Sequence, residues 1–353
     1  MTEKNSLSKK HFDEIDILKG IAILTVVLEH CSSLKYIDLS NAQWCVTLVA
    51  IIKSFNMQLF FVLSGFLFAS SNTTDKKKAY ISKFDRLLVP MVFLSIINIT
   101  LVYSMPSVIN GDERRVGFVD TIINFALYGK NYWFIYTLLI IFCITIFIKK
   151  YLTKTATISV ILLLVVLYET NLAHDELFRI KDVTYFSVFF LLGYLASYNY
   201  ARIKSFLKKV GVPVSLLIVY VVLFVYAKDV EFVHNWCLPL LLDVAIIGFG
   251  IMMTDSEYKY PVLKYLGKYS LQFYMFNGYA LVIARILFAK VLNIQHPFAL
   301  FALVYIFCLI ILWILVEATK RIPIISYLCG YGRKNKTIQS TKDSDINILS
   351  KLD

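Results

Sequence analysis

Residues 16–30 read Asp-Ile-Leu-Lys-Gly-Ile-Ala-Ile-Leu-Thr-Val-Val-Leu-Glu-His, an apolar run that carries four ionisable side chains. A histidine inside such a run is a candidate general base, because its charge changes near neutral pH. On a helix turning 100° per residue, Lys19 and His30 lie about 20° apart and Asp16 about 40° from His30. Those three share one face, and Glu29 points elsewhere. The rise from Lys19 to His30 is roughly 16 Å. Ionisable groups within a membrane span are costly and are functional hypotheses by default. On the functional reading the face lines a polar cavity, with His30 as base and Lys19 against an anionic ligand. On the packing reading His30 bonds a neighbouring helix and Lys19 snorkels to the interface. The remaining histidines, His11, His174, His234 and His296, fall in tails or loops, with His174 a weaker candidate on the outer side. There is no His-Glu-x-x-His pattern and no second histidine in a span, so no metal site is expected.

The elements that must position this face are membrane helices. The 353 residues are 58% hydrophobic and 17% charged, with a mean hydropathy of +0.68. Soluble domains carry about 25% charged residues. Apolar runs long enough to cross a hydrocarbon layer about 30 Å thick recur from residue 16 to residue 319. Helices are expected near 16–34, 44–70, 87–105, 132–148, 154–170, 183–198, 212–227, 236–254, 269–289 and 297–319. The fold class is therefore an all-α, polytopic bundle of about ten transmembrane helices, forming one membrane domain. The run 44–70 is too long for one simple span and is interrupted by Lys53, Asn56 and Gln58, so its first part is expected to lie at the interface or re-enter.

Charge sets the expected orientation. One set of alternate connections, with the tails, holds 25 Lys and Arg residues and the other holds 8. The positive-inside bias then puts both termini in the cytoplasm, as an even number of crossings requires. The net charge of +12 is spread through these connections and forms no aromatic-interleaved basic surface, which argues against nucleic acid as partner. Six cysteines without Cys-x-x-Cys spacing read as small buried apolar residues. Residues 1–15 read as a cytoplasmic tail before an uncleaved signal-anchor, and 320–353, rich in Lys, Asp, Ser and Thr, as a solvated, disordered cytoplasmic tail.

Other positions carry weaker chemistry. Ser64-Gly65 reads first as a notch where two helices approach. Lys76, Lys77, Lys78, Lys83 and Arg86 read as positive-inside retention and contact with anionic lipid. Tyr132 and Trp133 fit an interfacial aromatic belt. Tyr274 and Asn277, three residues apart, are expected on one helical face, orienting a substrate or bonding helices together.

Taken in order, these segments resemble the family 3 membrane acyltransferases, mostly bacterial enzymes that O-acetylate surface polysaccharides. Asp16-Ile-Leu-Lys-Gly-Ile-Ala-Ile ending in His30 is similar to the family's first helix, and Phe60-Phe-Val-Leu-Ser-Gly-Phe-Leu67 to its FFxxSGF segment. Lys83-x-x-Arg86-Leu-Leu-x-Pro90 resembles its basic motif, Tyr132-Trp133-Phe134 a helix start, and Gly267-Lys-Tyr-Ser-Leu-Gln-Phe-Tyr274 its late GxxSxxxY segment. The likeness runs from about residue 12 to residue 320. It implies an acyltransferase membrane domain over residues 16–319, with His30 catalytic and Lys19, Lys83 and Arg86 binding the phosphates of acetyl-CoA. Asp16, Ser64, Tyr274 and Asn277 would contact or orient substrates. It also implies a carbohydrate acceptor, a surface polysaccharide or lipid-linked glycan, at the cell membrane. The family's R-x10-H pattern is here Lys19-x10-His30, which keeps the spacing and charge but not the guanidinium. Many relatives carry a histidine just after the late tyrosine, where this chain has Phe276 and Asn277. An amide cannot move a proton at neutral pH, which argues against a two-histidine mechanism. The pantetheine arm of coenzyme A, comparable to about five extended residues, reaches roughly 16 Å, close to the Lys19 to His30 rise. A glycolipid or polysaccharide transporter or flippase is the rival reading, since it too needs polar groups in a pore and a basic inner face. A structural membrane partner leaves the Asp16, Lys19 and His30 face unexplained.

Overall fold

The structure is a computed structural model; it describes residues 12–32, 42–71, 73–104, 118–172 and 177–332. The first eleven residues of the expected N-terminal tail, His11 and His174, and the expected tail beyond residue 332 lie outside the described residues. The described chain is all-helical, with no strand. In chain order the α-helices are α1 Asp13–Ser32, α2 Gln43–Lys53, α3 Asn56–Ala69, α4 Lys76–Lys83, α5 Val89–Ser104, α6 Phe118–Tyr128, α7 Trp133–Ile148 and α8 Lys154–Glu169. They continue as α9 Ile180–Ala196, α10 Tyr200–Leu207, α11 Gly211–Tyr226, α12 Leu238–Thr254, α13 Pro261–Lys268, α14 Ser270–Arg285, α15 Pro297–Thr319 and α16 Pro323–Leu328.

Seven segments are long and apolar enough to cross a membrane, as fits an integral membrane protein. They are α2 with α3, α4 with α5, and the segments built on α7, α9, α12, α14 and α15. Apolar side chains stand exposed along α8, α11 and α15, among them Leu162, Val166, Val221, Val225, Ile306 and Ile310. Such a belt suits lipid and would be unfavourable against water. The run expected at 44–70 is indeed divided: α2 stops at Lys53, and α3 restarts at Asn56, whose side-chain oxygen accepts from the Met57 N–H at 2.7 Å.

Backbone contact at glycines locks the bundle. A Cβ on Gly65 would lie 1.8 Å from the Phe190 carbonyl oxygen, and one on Gly193 would lie 1.9 Å from that of Val62. The notch at Ser64-Gly65 is thus half of a reciprocal α3–α9 contact, the small-residue packing that lets helices associate where burial from water is not the driving force. A similar contact joins α1 to α13, where a Cβ on Gly267 would lie 1.8 Å from the Asp16 carbonyl oxygen and one on Gly20 2.2 Å from that of Leu263. Along the α3–α9 seam an aromatic cluster forms, in which Phe61 stacks on Phe186 at 4.5 Å and meets Phe134 of α7 edge-on at 5.2 Å.

Candidate active site

The site is built along α1. Its first turn carries Asp13, Glu14 and Asp16, which suits the positive end of the helix dipole, and its last turn carries His30. The helix runs unbroken from Asp13 to Ser32, so Lys19 and His30 keep their axial separation of roughly 16 Å.

At the Lys19 end, α13 lies against α1 because Gly20 and Gly267 remove the side chains between them. This brings Lys264 and Lys268, one helical turn apart, alongside Lys19. A third wall comes from the connection between α4 and α5. There Phe84–Leu88 winds as a π-helical turn carrying Arg86. Pro90 lies four residues on and has no N–H to offer the Arg86 carbonyl, so the regular ladder cannot close at this point. π-Turns of this kind are frequent at functional sites. The three walls enclose an open cavity of about 490 Å³, lined by Asp16, Lys19, Arg86, Lys264, Lys268 and Ser270 among others. Lys264 is paired with Asp13 at 2.5 Å. Lys19, Arg86 and Lys268 then face a single lining carboxylate, Asp16, and the surplus of positive charge suits an anion.

The structure thus brings Asp16, Lys19 and Arg86 together and leaves Lys83 aside. The Lys83 ammonium sits over the Phe142 ring at 3.8 Å, outside the cavity lining, although Arg86 and Lys19 remain within its electrostatic reach. Lys264 and Lys268, which the motif reading passed over, complete the lining. Their one-turn spacing beside Gly267 was the signal.

At the other end His30 is half-buried, and its Nδ1 lies 2.8 Å from the Val26 carbonyl oxygen. A carbonyl oxygen only accepts, so this bond requires a proton on Nδ1, and in the neutral ring the lone pair is then on Nε2. The His30 carbonyl in turn accepts from Arg285 Nη2 at 3.3 Å, which ties α14 to the end of α1. Glu29 turns the other way and is held by Asn56 Nδ2 at 2.7 Å and Lys53 at 3.9 Å. Two of the residues that interrupt the run 44–70, Lys53 and Asn56, are therefore the partners of Glu29, while Gln58 donates to the Tyr185 hydroxyl at 3.2 Å.

Tyr274 and Asn277 diverge instead of sharing a target. Tyr274 meets the Phe134 ring edge-on at 5.2 Å, with Glu29 and Arg179 within electrostatic reach. Asn277, 2% exposed, faces α15 and accepts from the Cys308 thiol at 3.7 Å. Three residues on a helix differ by 60°, enough in a close-packed bundle to give two neighbours different targets. Ser64 is half-buried beside the Gly65 contact. Trp133 meets Phe186 in a tilted pair at 5.6 Å and has the Arg179 guanidinium over its ring at 5.3 Å.

Among the described residues no cluster of His, Cys, Asp and Glu could hold a metal ion. The model of an acyltransferase domain family matches residues 12–317, most of the chain. The chain belongs to acyltransferase family 3. The match takes in α1 to α15 almost entirely, so the cation-lined cavity and His30 both lie within the acyltransferase domain. No match was found among curated proteins or among solved structures.

Proposed function

We propose that this acyltransferase moves an acyl group, acetyl in the simplest case, from cytosolic acyl-CoA to a hydroxyl of a surface or lipid-linked carbohydrate. The observation that carries the reading is the two-ended α1: a cation-lined cavity around Lys19 and, roughly 16 Å along the same rigid helix, a histidine whose Nδ1–H is committed to Val26. The first suits the phosphates of a nucleotide and the second suits a base. The pantetheine arm has the length to join them.

In this scheme Arg86, Lys19, Lys264 and Lys268 hold the phosphates at the cytoplasmic end, and Lys83 adds to the field from beside Phe142. His30 Nε2 takes the proton of the acceptor hydroxyl as its oxygen attacks the thioester carbonyl. The C–S bond breaks, and the proton on Nε2 passes to the leaving thiolate. An acyl-histidine intermediate would use the same nitrogen as nucleophile. The seven long apolar segments, with α1, α8 and α11 added, make ten crossings of the cell membrane with both termini cytoplasmic. α1 is set apart from the seven by its charged residues, and α8 and α11 by their 16-residue lengths.

Transfer of radiolabelled acetyl from acetyl-CoA by purified protein in liposomes tests the scheme. His30→Ala should lower the rate roughly 100- to 10,000-fold while coenzyme A binding persists. Wild-type transfer by a folded His30→Ala protein would refute the assignment. Glycan movement without any dependence on acyl-CoA would favour a flippase.

A further inference from the structure

The segment after α15 folds back onto the cavity walls. Residues Pro323–Leu328 form α16, and Gly330 follows with a positive φ of 77°, a conformation that favours glycine. A Cβ there would lie 2.8 Å from the Arg86 carbonyl oxygen and 3.0 Å from the Pro90 ring. Gly330 thus rests on the part of the π-turn where Pro90 denies Arg86 its helical partner. One residue away, the Tyr327 hydroxyl donates to Asp85 Oδ1 at 2.9 Å. On the opposite wall the Cys329 carbonyl accepts from Gln272 Nε2 at 3.1 Å, two residues past the cavity-lining Ser270. The Tyr331 hydroxyl lies 3.0 Å from Thr319 Oγ1 and donates to the Val316 carbonyl at 3.1 Å, which anchors the segment to α15.

We infer that residues 323–331 are a clasp that sets the Arg86 wall of the acyl-CoA cavity against its Ser270 wall, with Tyr327 and Gly330 as positioning residues for the Arg86 guanidinium. The inference rests on the acyl-CoA reading of the cavity. The contacts fall on the residue before Arg86, on the carbonyl of Arg86 and beside Ser270, and the clasp touches neither α1 nor His30 in any of them. It should therefore govern how tightly the anionic donor binds and leave the chemical step alone.

The test compares wild type with Tyr327→Phe, which keeps the ring and removes one hydrogen bond, and with Gly330→Val. Tyr327→Phe should raise KM for acetyl-CoA about two- to tenfold, the range one hydrogen bond covers, with kcat unchanged. Gly330→Val should raise it further. On an Arg86→Ala background Tyr327→Phe should have no further effect, because its target is gone. Unchanged KM in a folded Tyr327→Phe protein, or an effect that multiplies with that of Arg86→Ala, would overturn the clasp. Calorimetric titration with coenzyme A separates the two levels. Wild-type protein that binds no coenzyme A refutes the donor reading, whereas wild-type and Tyr327→Phe proteins that bind it equally well refute only the clasp.

Discussion

The two ends of α1 are built on opposite plans. Around Lys19 the bundle opens into a cavity whose walls come from three separate segments, and positive charge is supplied several times over by Lys19, Arg86 and Lys268, beside a Lys264 paired with Asp13. Around His30 a single imidazole is half-buried among packed helices, its Nδ1 bonded to the Val26 carbonyl and the carbonyl of the same residue bonded by Arg285. Charge at the first end is shared, so losses there should be graded. In the proposed mechanism the chemistry at the second end depends on one nitrogen, so loss there should be close to complete.

The largest effect short of removing His30 is expected at the contact that makes the first end possible. Gly267→Val would drive side-chain carbon into the Asp16 backbone, where even a Cβ lies 1.8 Å from the carbonyl oxygen. Rigid α13 and α1 cannot separate without opening the cavity, so the variant should assemble poorly and lose acyl transfer. Gly278→Ala is the control, because a Cβ there meets nothing within 4 Å. Size-exclusion profiles and activity of the two variants side by side check the claim. A well-assembled, fully active Gly267→Val would show that α1–α13 proximity does not build the site.

Next come the shared charges. Arg86→Ala should raise KM for acyl-CoA roughly 10- to 100-fold, the range of charge-assisted hydrogen bonds from a guanidinium to phosphate. Lys19→Ala should raise it less, since an ammonium lacks the bidentate fork. Both effects should shrink as salt rises, and kcat should change less than KM. KM measured across an ionic-strength series decides it. If either variant instead lowered kcat with KM intact, the division of labour between the two ends would be wrong.

How much of this was legible from sequence follows the same division. Helical periodicity alone placed Asp16, Lys19 and His30 on one face, because a single unbroken helix carries its own geometry. The α2–α3 break was legible in Lys53, Asn56 and Gln58, though the pairing of Lys53 and Asn56 with Glu29 was not. Anything that depended on two segments meeting was harder to read. Lys83 and Arg86 look equivalent in the chain, yet the π-turn and the Phe142 ring send them to different places. The short apolar helix α6 fell between expected spans, being only 11 residues long. Helix α16 lay in a stretch whose polar composition suggested solvation, and its packing rests on partners more than 50 residues away, such as Gln272 and Asp85.

The smallest effect is expected at Asn277, and it sharpens the comparison most. The family resemblance implies a histidine just after the late tyrosine, a second proton carrier at the proposed chemical end. Here Asn277 is turned into the α14–α15 seam, where its oxygen accepts from Cys308. A thiol is a weak donor, so Asn277→Ala should cost at most about 1 kcal/mol of stability and leave kcat within about threefold of wild type. Asn277→His should likewise fail to raise the rate, because an imidazole placed there would face Cys308 rather than the lone pair on His30. Steady-state rates for the two variants, with thermal unfolding to confirm that each is folded, settle the point. A large fall in kcat for Asn277→Ala with the fold intact would mean that the chemistry extends from His30 onto α14, so that two helices and not one carry it.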